Sequence, residues 1–238
     1  GLSELEAALA KPGSLATVES GTPVRDFDVF AFSVSFEWDY TNVVTLLRLA
    51  GLPLYAAGRD RRHPLVVIGG AVTFVNPEPL APFADVVAAG EGEALVPALV
   101  GRIAGAAGAA DRRSFLEGLA AERGFYVPSL IDVRYAADGS IEAFSPAAGS
   151  SAPVPVRKAA LTASAGGESP STMVFTPDTE FGSRLLVEVV RGCANLCRFC
   201  WAGYNYLPVR AFPADRILEI ARAARPHSSR IGLVSIAL

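Results

Sequence analysis

Apolar residues gather at β spacing over Phe27 to Val34 (FDVFAFSV) and recur at helical spacing over Thr41 to Ala50, where Gly51 and Pro53 stop them. That alternation predicts a strand followed by a helix. Pro64 to Ile68 (PLVVI) is a second apolar strand running into Gly69-Gly70. Ala84 to Ala88 is a third, ending in Gly90-Glu91-Gly92-Glu93, with helical residues beyond it to about Ala104. Continuous apolar strands alternating with helices predict an α/β fold whose parallel sheet is covered on both faces. Asp111 to Arg123 reads as a further helix. Phe125 to Phe144 then changes to a hairpin rhythm, with its turn at Asp138-Gly139. Ser145 to Ser171 is rich in Ala, Ser, Gly and Pro and is expected to be a loose linker. A new strand begins at Leu185, an amphipathic helix spans about Pro213 to Ala224, and a strand follows from Arg230 to Ile236. No repeat of fixed period stands out.

The totals narrow the class. With 238 residues, 51% of them apolar, the chain is long enough for one or two domains with a real core. A net charge of −3 with both signs interspersed gives no general electrostatic grip on nucleic acid. Mean hydropathy is high at +0.34, yet no apolar run approaches the roughly 18 residues of a spanning helix. The first residues, GLSELEAALAKPG, do not read as a secretory signal, and three clustered cysteines do not read as a disulfide framework. A reducing, cytoplasmic setting is the expectation.

All the thiols fall in VEVVRGCANLCRFCWAGYNYLPVR, spaced Cys193-x3-Cys197-x2-Cys200 just after a strand. A loop of that length can wrap three thiolates around one centre and leave a fourth coordination position open, as in an iron–sulfur cluster with one iron not held by protein. Structural zinc wants four closed ligands, and the two histidines, His63 and His227, are poorly spaced to supply one. Three cysteines packed as small apolar residues are the remaining reading.

Taken whole, Arg191-Gly192-Cys193-x3-Cys197-Arg198-Phe199-Cys200-x-Ala202-Gly203 through Pro208-Val209-Arg210 resembles the cluster loop of the radical S-adenosylmethionine (SAM) superfamily. It is similar to the form found in a subgroup with an N-terminal cobalamin-binding-like domain. The stretches FDVFAFSVSFEWDYTNVVTLLRLAGLPL and PLVVIGGAVTFVNPEPLAPFADVVAAGEGE are similar to the later part of that Rossmann-like domain, and GFYVPSLIDVRYAADGSIEAF to the connection after it. The resemblance implies three parts: a B12-binding-like Rossmann domain over 1–108, a helix, hairpin and linker over 109–181, and the start of a radical SAM partial (βα)6 barrel over 182–238.

The resemblance further implies that Cys193, Cys197 and Cys200 ligate a [4Fe-4S] cluster whose open iron binds S-adenosylmethionine. An external one-electron reductant would then drive its cleavage to a 5′-deoxyadenosyl radical. Phe199 would lie near the adenine and Ser235 would be a further cofactor contact, whereas Trp201 would shield the cluster or simply pack. Gly69, Gly70, Gly90, Glu91 and Gly92 would border a ligand in the first domain. Cobalamin is in question there, because no Asp-x-His-x-x-Gly occurs and His63 lacks that context. Glu188, in an apolar strand, demands a partner such as Arg191 or Arg210. The strand expected before a helix at Leu2 to Ala10 is missing, and few βα units follow the cysteines, so an internal fragment, inactive alone, is implied. The substrate is open: cobalamin-dependent methyl transfer and RNA methylthiolation are candidates, against a non-catalytic iron–sulfur module.

Overall fold

A computed structural model describes residues 11–105, 111–161, 169–178 and 180–236. The expected helix at Leu2 to Ala10 lies outside the described residues. The chain divides into two compact units, Gly1–Ala160 and Leu161–Leu238.

The first unit is built on a four-stranded sheet in the order β1-β2-β3-β4, from Val29–Ser33, Leu65–Gly69, Val86–Ala88 and Phe125–Tyr126. The first three strands are parallel, as their apolar runs predict, and β4 is antiparallel to β3. Period-2 alternation sorts the side chains. Leu65, Val67, Val86 and Ala88 point into one core with Leu95, Leu116, Leu119 and Phe125, while Val66, Ile68 and Val87 point into the other with Val43, Leu47, Val72 and Leu80. Each face therefore needs a helical cover. Helix α1 (Tyr40–Leu49) places Val43 and Leu47 on the second face, beside the short α2 (Val72–Val75), and α3 (Gly92–Gly105) and α4 (Arg112–Ala120) supply the first. Asp111 starts α4 as an N-cap, its carboxylate accepting the Ser114 N–H at 2.8 Å.

The hairpin forms where the turn residues place it. Strands β5 (Ile131–Tyr135) and β6 (Ile141–Pro146) pair antiparallel, and the Asp138 carboxylate accepts the Ser140 N–H at 2.9 Å beside Gly139 at φ +83°. Phe125 and Tyr126, expected within the hairpin, instead close the main sheet as β4.

The segment expected to be a loose linker is largely fixed where it is described. Ala152 and Ala159 are buried in the first core, and Ala159 bridges Gly90 in parallel register. The Glu91 N–H donates to Ala159 O at 3.0 Å and the Ala159 N–H to Ala89 O at 3.0 Å. Gly90 permits this contact: at φ +142°, a Cβ there would stand 2.2 Å from Ala159 O. Small residues let two backbones meet, so the composition that suggested looseness serves close packing.

The second unit contains a three-stranded sheet ordered β8-β7-β9, from Arg210–Ala211, Leu185–Arg191 and Ile231–Ser235. Strands β7 and β9 are parallel and joined through α6 (Ala214–Ala223), the crossover that parallel pairing requires. The far part of the expected linker also pairs here. Ser171 bridges Val187, the Thr172 N–H donates to Leu186 O at 2.9 Å, and the Glu188 N–H donates to Pro170 O at 2.9 Å.

Candidate functional site

The cysteine loop leaves the C-terminal end of β7, and an irregularity in that strand sets its direction. Against β9, Glu188 is paired with Val234 and Val190 with Ser235, so Val189 is an extra residue. Such a bulge turns subsequent side chains over. Glu188 and Arg191 thus share a side, and Arg191 donates from Nε to Oε1 at 3.0 Å and from Nη2 to Oε2 at 2.6 Å. This bidentate pair gives the strand carboxylate the partner it needed. The Arg191 guanidinium also lies 5.9 Å from the Phe212 ring centre. Arg210, the other candidate, instead binds carbonyls: Pro208 O at 3.1 Å, Leu161 O at 2.8 Å and Tyr206 O at 3.4 Å.

Gly192 follows at φ +88°, where a Cβ would meet Tyr206 O at 2.5 Å and Val209 Cα at 3.2 Å. The start of the loop therefore passes directly against the 206–209 segment. Leu196 also takes a left-handed conformation at φ +49°. Its carbonyl accepts the Tyr204 hydroxyl at 2.7 Å, and the Cys200 N–H donates to Cys197 O at 3.0 Å. The short helix α5 (Ala202–Asn205) abuts the loop through Gly203, whose missing Cβ would lie 3.6 Å from Cys193 O and Leu196 N. Arg191, Gly192, Gly203 and Arg210, all in the sequence motif, thus serve as a bracket that shapes the loop.

All three thiols are free, Cys193 buried, Cys200 half-buried and Cys197 exposed. Three thiols on one short, turned loop are a donor set suited to an iron–sulfur cluster. They do not form a closed metal site as they stand: among the described residues no three His, Cys, Asp or Glu side chains meet around a point that could hold a metal ion. Metal ligation and site closure are commonly coupled.

Phe199 is 90% exposed, so it is not a core aromatic. Trp201 leans on Tyr206 with ring centres 5.7 Å apart. Ser235 ends β9 opposite Val190, two residues before Gly192, which brings it to the end of the sheet from which the cysteine loop departs. His63 sits in a turn with its Nδ1 accepting the Asp60 N–H at 3.1 Å, and His227 stacks on Phe175.

Gly69, Gly70, Gly90, Glu91 and Gly92 belong to the first unit, at the C-terminal ends of β2 and β3. Backbone of this chain fills the sides of two of them: Gly70, at φ +91°, would place a Cβ 2.6 Å from Val34 O, and Gly90 meets Ala159. Gly69 makes ordinary contacts, whereas Gly92 faces open space. Glu91 is buried, with its carbonyl accepting from Ala94 and Leu95 at the start of α3.

Two contributors escape the motif. Tyr204 anchors Leu196, and the buried Ser169 donates its hydroxyl to Glu188 O beside the Glu188–Arg191 pair. The tyrosine lay within the motif as an unspecified position, and the serine within a presumed linker.

A family model described as "Radical SAM proteins, N-terminal" matches residues 3–128, more than half of the chain. The α/β protein with a thiol-bearing loop after a parallel strand belongs to this radical SAM family. Neither the curated proteins nor the solved structures give a match. Among the described residues no helix is long and apolar enough to cross a membrane.

Proposed function

We propose that Cys193, Cys197 and Cys200 hold a [4Fe-4S] cluster and that the protein is a radical SAM enzyme cleaving S-adenosylmethionine reductively. The observation that carries this reading is a union of two separate features. The family match ends at residue 128, whereas the only three cysteines lie together beyond it, on a loop at the end of a parallel strand. Neither feature uses the other's residues.

When bound, the cluster with S-adenosylmethionine on its open iron would supply, after one electron from an external reductant, a 5′-deoxyadenosyl radical that removes hydrogen from substrate. This chain's contribution is placement. The Glu188–Arg191 pair and the Gly192 turn fix where the first thiol leaves the sheet. Tyr204 and Gly203 hold the middle of the loop, and Arg210 gathers the carbonyls behind it. Phe199 and Ser235 are the residues we assign to the cofactor's side of the loop.

The first unit reads as the B12-binding-like module, and the second as the opening of a partial barrel. Gly70 and Gly90, filled by backbone, and the lack of an Asp-x-His-x-x-Gly support a module used for substrate or docking in place of cobalamin. A non-catalytic iron–sulfur carrier fits less well, since a carrier normally completes its four ligands from protein.

Anaerobic reconstitution with iron and sulfide tests the ligand set. The wild-type chain should take up one [4Fe-4S] complement with its broad visible absorbance, and Cys193→Ala, Cys197→Ala and Cys200→Ala should each lose most of it. Full iron loading in any one of the three would remove that cysteine from the site.

A further inference from the structure

A cleft in the first unit is lined by other residues than the glycine turns named above. The hairpin is two-faced. Asp132 and Arg134 alternate with Ile131, Val133 and Tyr135, and Phe144 is paired with Val133, so these apolar and aromatic residues share one face. Ile131 is buried at the base, but Tyr135 is 59% exposed and Phe144 is 40% exposed. The outer part of this face is therefore uncovered.

Two open cavities run along it, of about 330 and 230 Å³, and they meet at Glu78, Tyr126 and Ile131. Tyr135 and Val133 border the larger, and Phe144 and Val156 the smaller. Their combined size is within the usual range for small-molecule sites. The decisive feature is charge. Among the described residues lining either cavity, Glu78 carries the only formal charge, and none is Lys, Arg, His or Asp. Tyr126 and Glu78 line both cavities, and burial, followed by the negative charge of Glu78, raises the phenol's pKa. Tyr126 therefore remains a neutral donor, and the carboxylate is the sole ionic feature among three aromatic rings.

We propose that the cleft formed by Glu78, Tyr126, Tyr135 and Phe144 binds a small organic cation, an ammonium group carried on an apolar body. Its charge would be met by the carboxylate and the ring faces, which attract cations through their quadrupoles, while the body lies along Ile131, Val133 and Val156. This assignment is independent of the cluster and of the reaction proposed above.

The test uses the full chain, benzylammonium and the neutral, similarly sized benzyl alcohol, with affinities measured by calorimetric or NMR titration. Benzylammonium should saturate one site and bind about tenfold tighter than the alcohol, in the range of partly desolvated cation–π and ionic contacts. Glu78→Gln should bring the two ligands to near equality. Tyr135→Ala, at a position 59% exposed, should weaken benzylammonium several-fold. Equal affinity of the two ligands in the wild-type chain would show only an apolar cleft and overturn the proposal. So would a complete lack of binding, or a preference that survives in both variants.

Discussion

Asp85→Ala should destabilise the first unit by about 3–5 kcal/mol, the usual cost of removing one partner from a buried ion pair. The Asp85 side chain is 3% exposed and that of Arg59 is fully buried. A single carboxylate oxygen accepts Arg59 Nε at 3.0 Å and the Val66 N–H at 2.8 Å, and lies 2.9 Å from Arg112 Nη2. The other Arg59 nitrogens donate to Pro53, Leu54 and Phe83 carbonyls, while Arg112 donates from Nη1 to the Asp60 and His63 carbonyls and from Nη2 also to that of Pro64. Asp85 is thus the counter-charge for two guanidiniums that tie the 53–54, 60–64 and 83 segments to the sheet. Burial lowers the Arg59 pKa, and the Asp85 charge opposes that shift. Without the carboxylate a cation is left in a dry interior, and the β2 N–H loses its acceptor. Asp85→Asn, which keeps an acceptor but no charge, should fall between alanine and wild type. Urea unfolding monitored by circular dichroism checks this, and an alanine variant with an unchanged midpoint would contradict the role given to the pair.

The second large effect concerns a residue with no side chain. Gly192→Ala should sharply reduce iron loading although all three thiols remain. At φ +88° an alanine is strained, and its Cβ would lie 2.5 Å from Tyr206 O, a backbone atom that cannot rotate away. Strain of this kind costs on the order of 1–3 kcal/mol before the collision is counted. Relief requires the loop or the 206–209 segment to move, which displaces the start of the cysteine loop from its bracket. Gly182→Ala is the matched control. It too has positive φ, +58°, but a Cβ there meets nothing within 4 Å, so it should retain iron. Equal loading in Gly192→Ala and wild type would show that the loop does not depend on this approach.

Much of this arrangement was legible in local pattern. The apolar runs at Val29–Ser33, Leu65–Gly69 and Val86–Ala88 announced a doubly covered sheet, and Asp138-Gly139 fixed the hairpin turn. The amphipathic spacing that foretold α6 is realised over Ala214–Ala223. Within the site, an acid in an apolar strand pointed to Arg191 or Arg210, and Arg191 is the one that pairs with it. What escaped depends on distant partners. Phe125–Tyr126 is too short to signal a strand, and its place against β3 follows from pairing rather than propensity. The Gly90–Ala159 contact joins segments far apart in sequence, so each glycine or alanine reads locally as a turn or linker residue. Asp85 sits inside an apolar run, and Arg59, 26 residues earlier, carries no periodic mark of being its partner. The extra residue at Val189 is visible only in the register with β9.

The most direct measurement is electron paramagnetic resonance of the reconstituted, reduced protein with and without S-adenosylmethionine. The account predicts a [4Fe-4S]⁺ signal that changes when S-adenosylmethionine is added and is absent in Cys197→Ala. A signal unaffected by S-adenosylmethionine, or no cluster at all, would contradict an open iron at this loop.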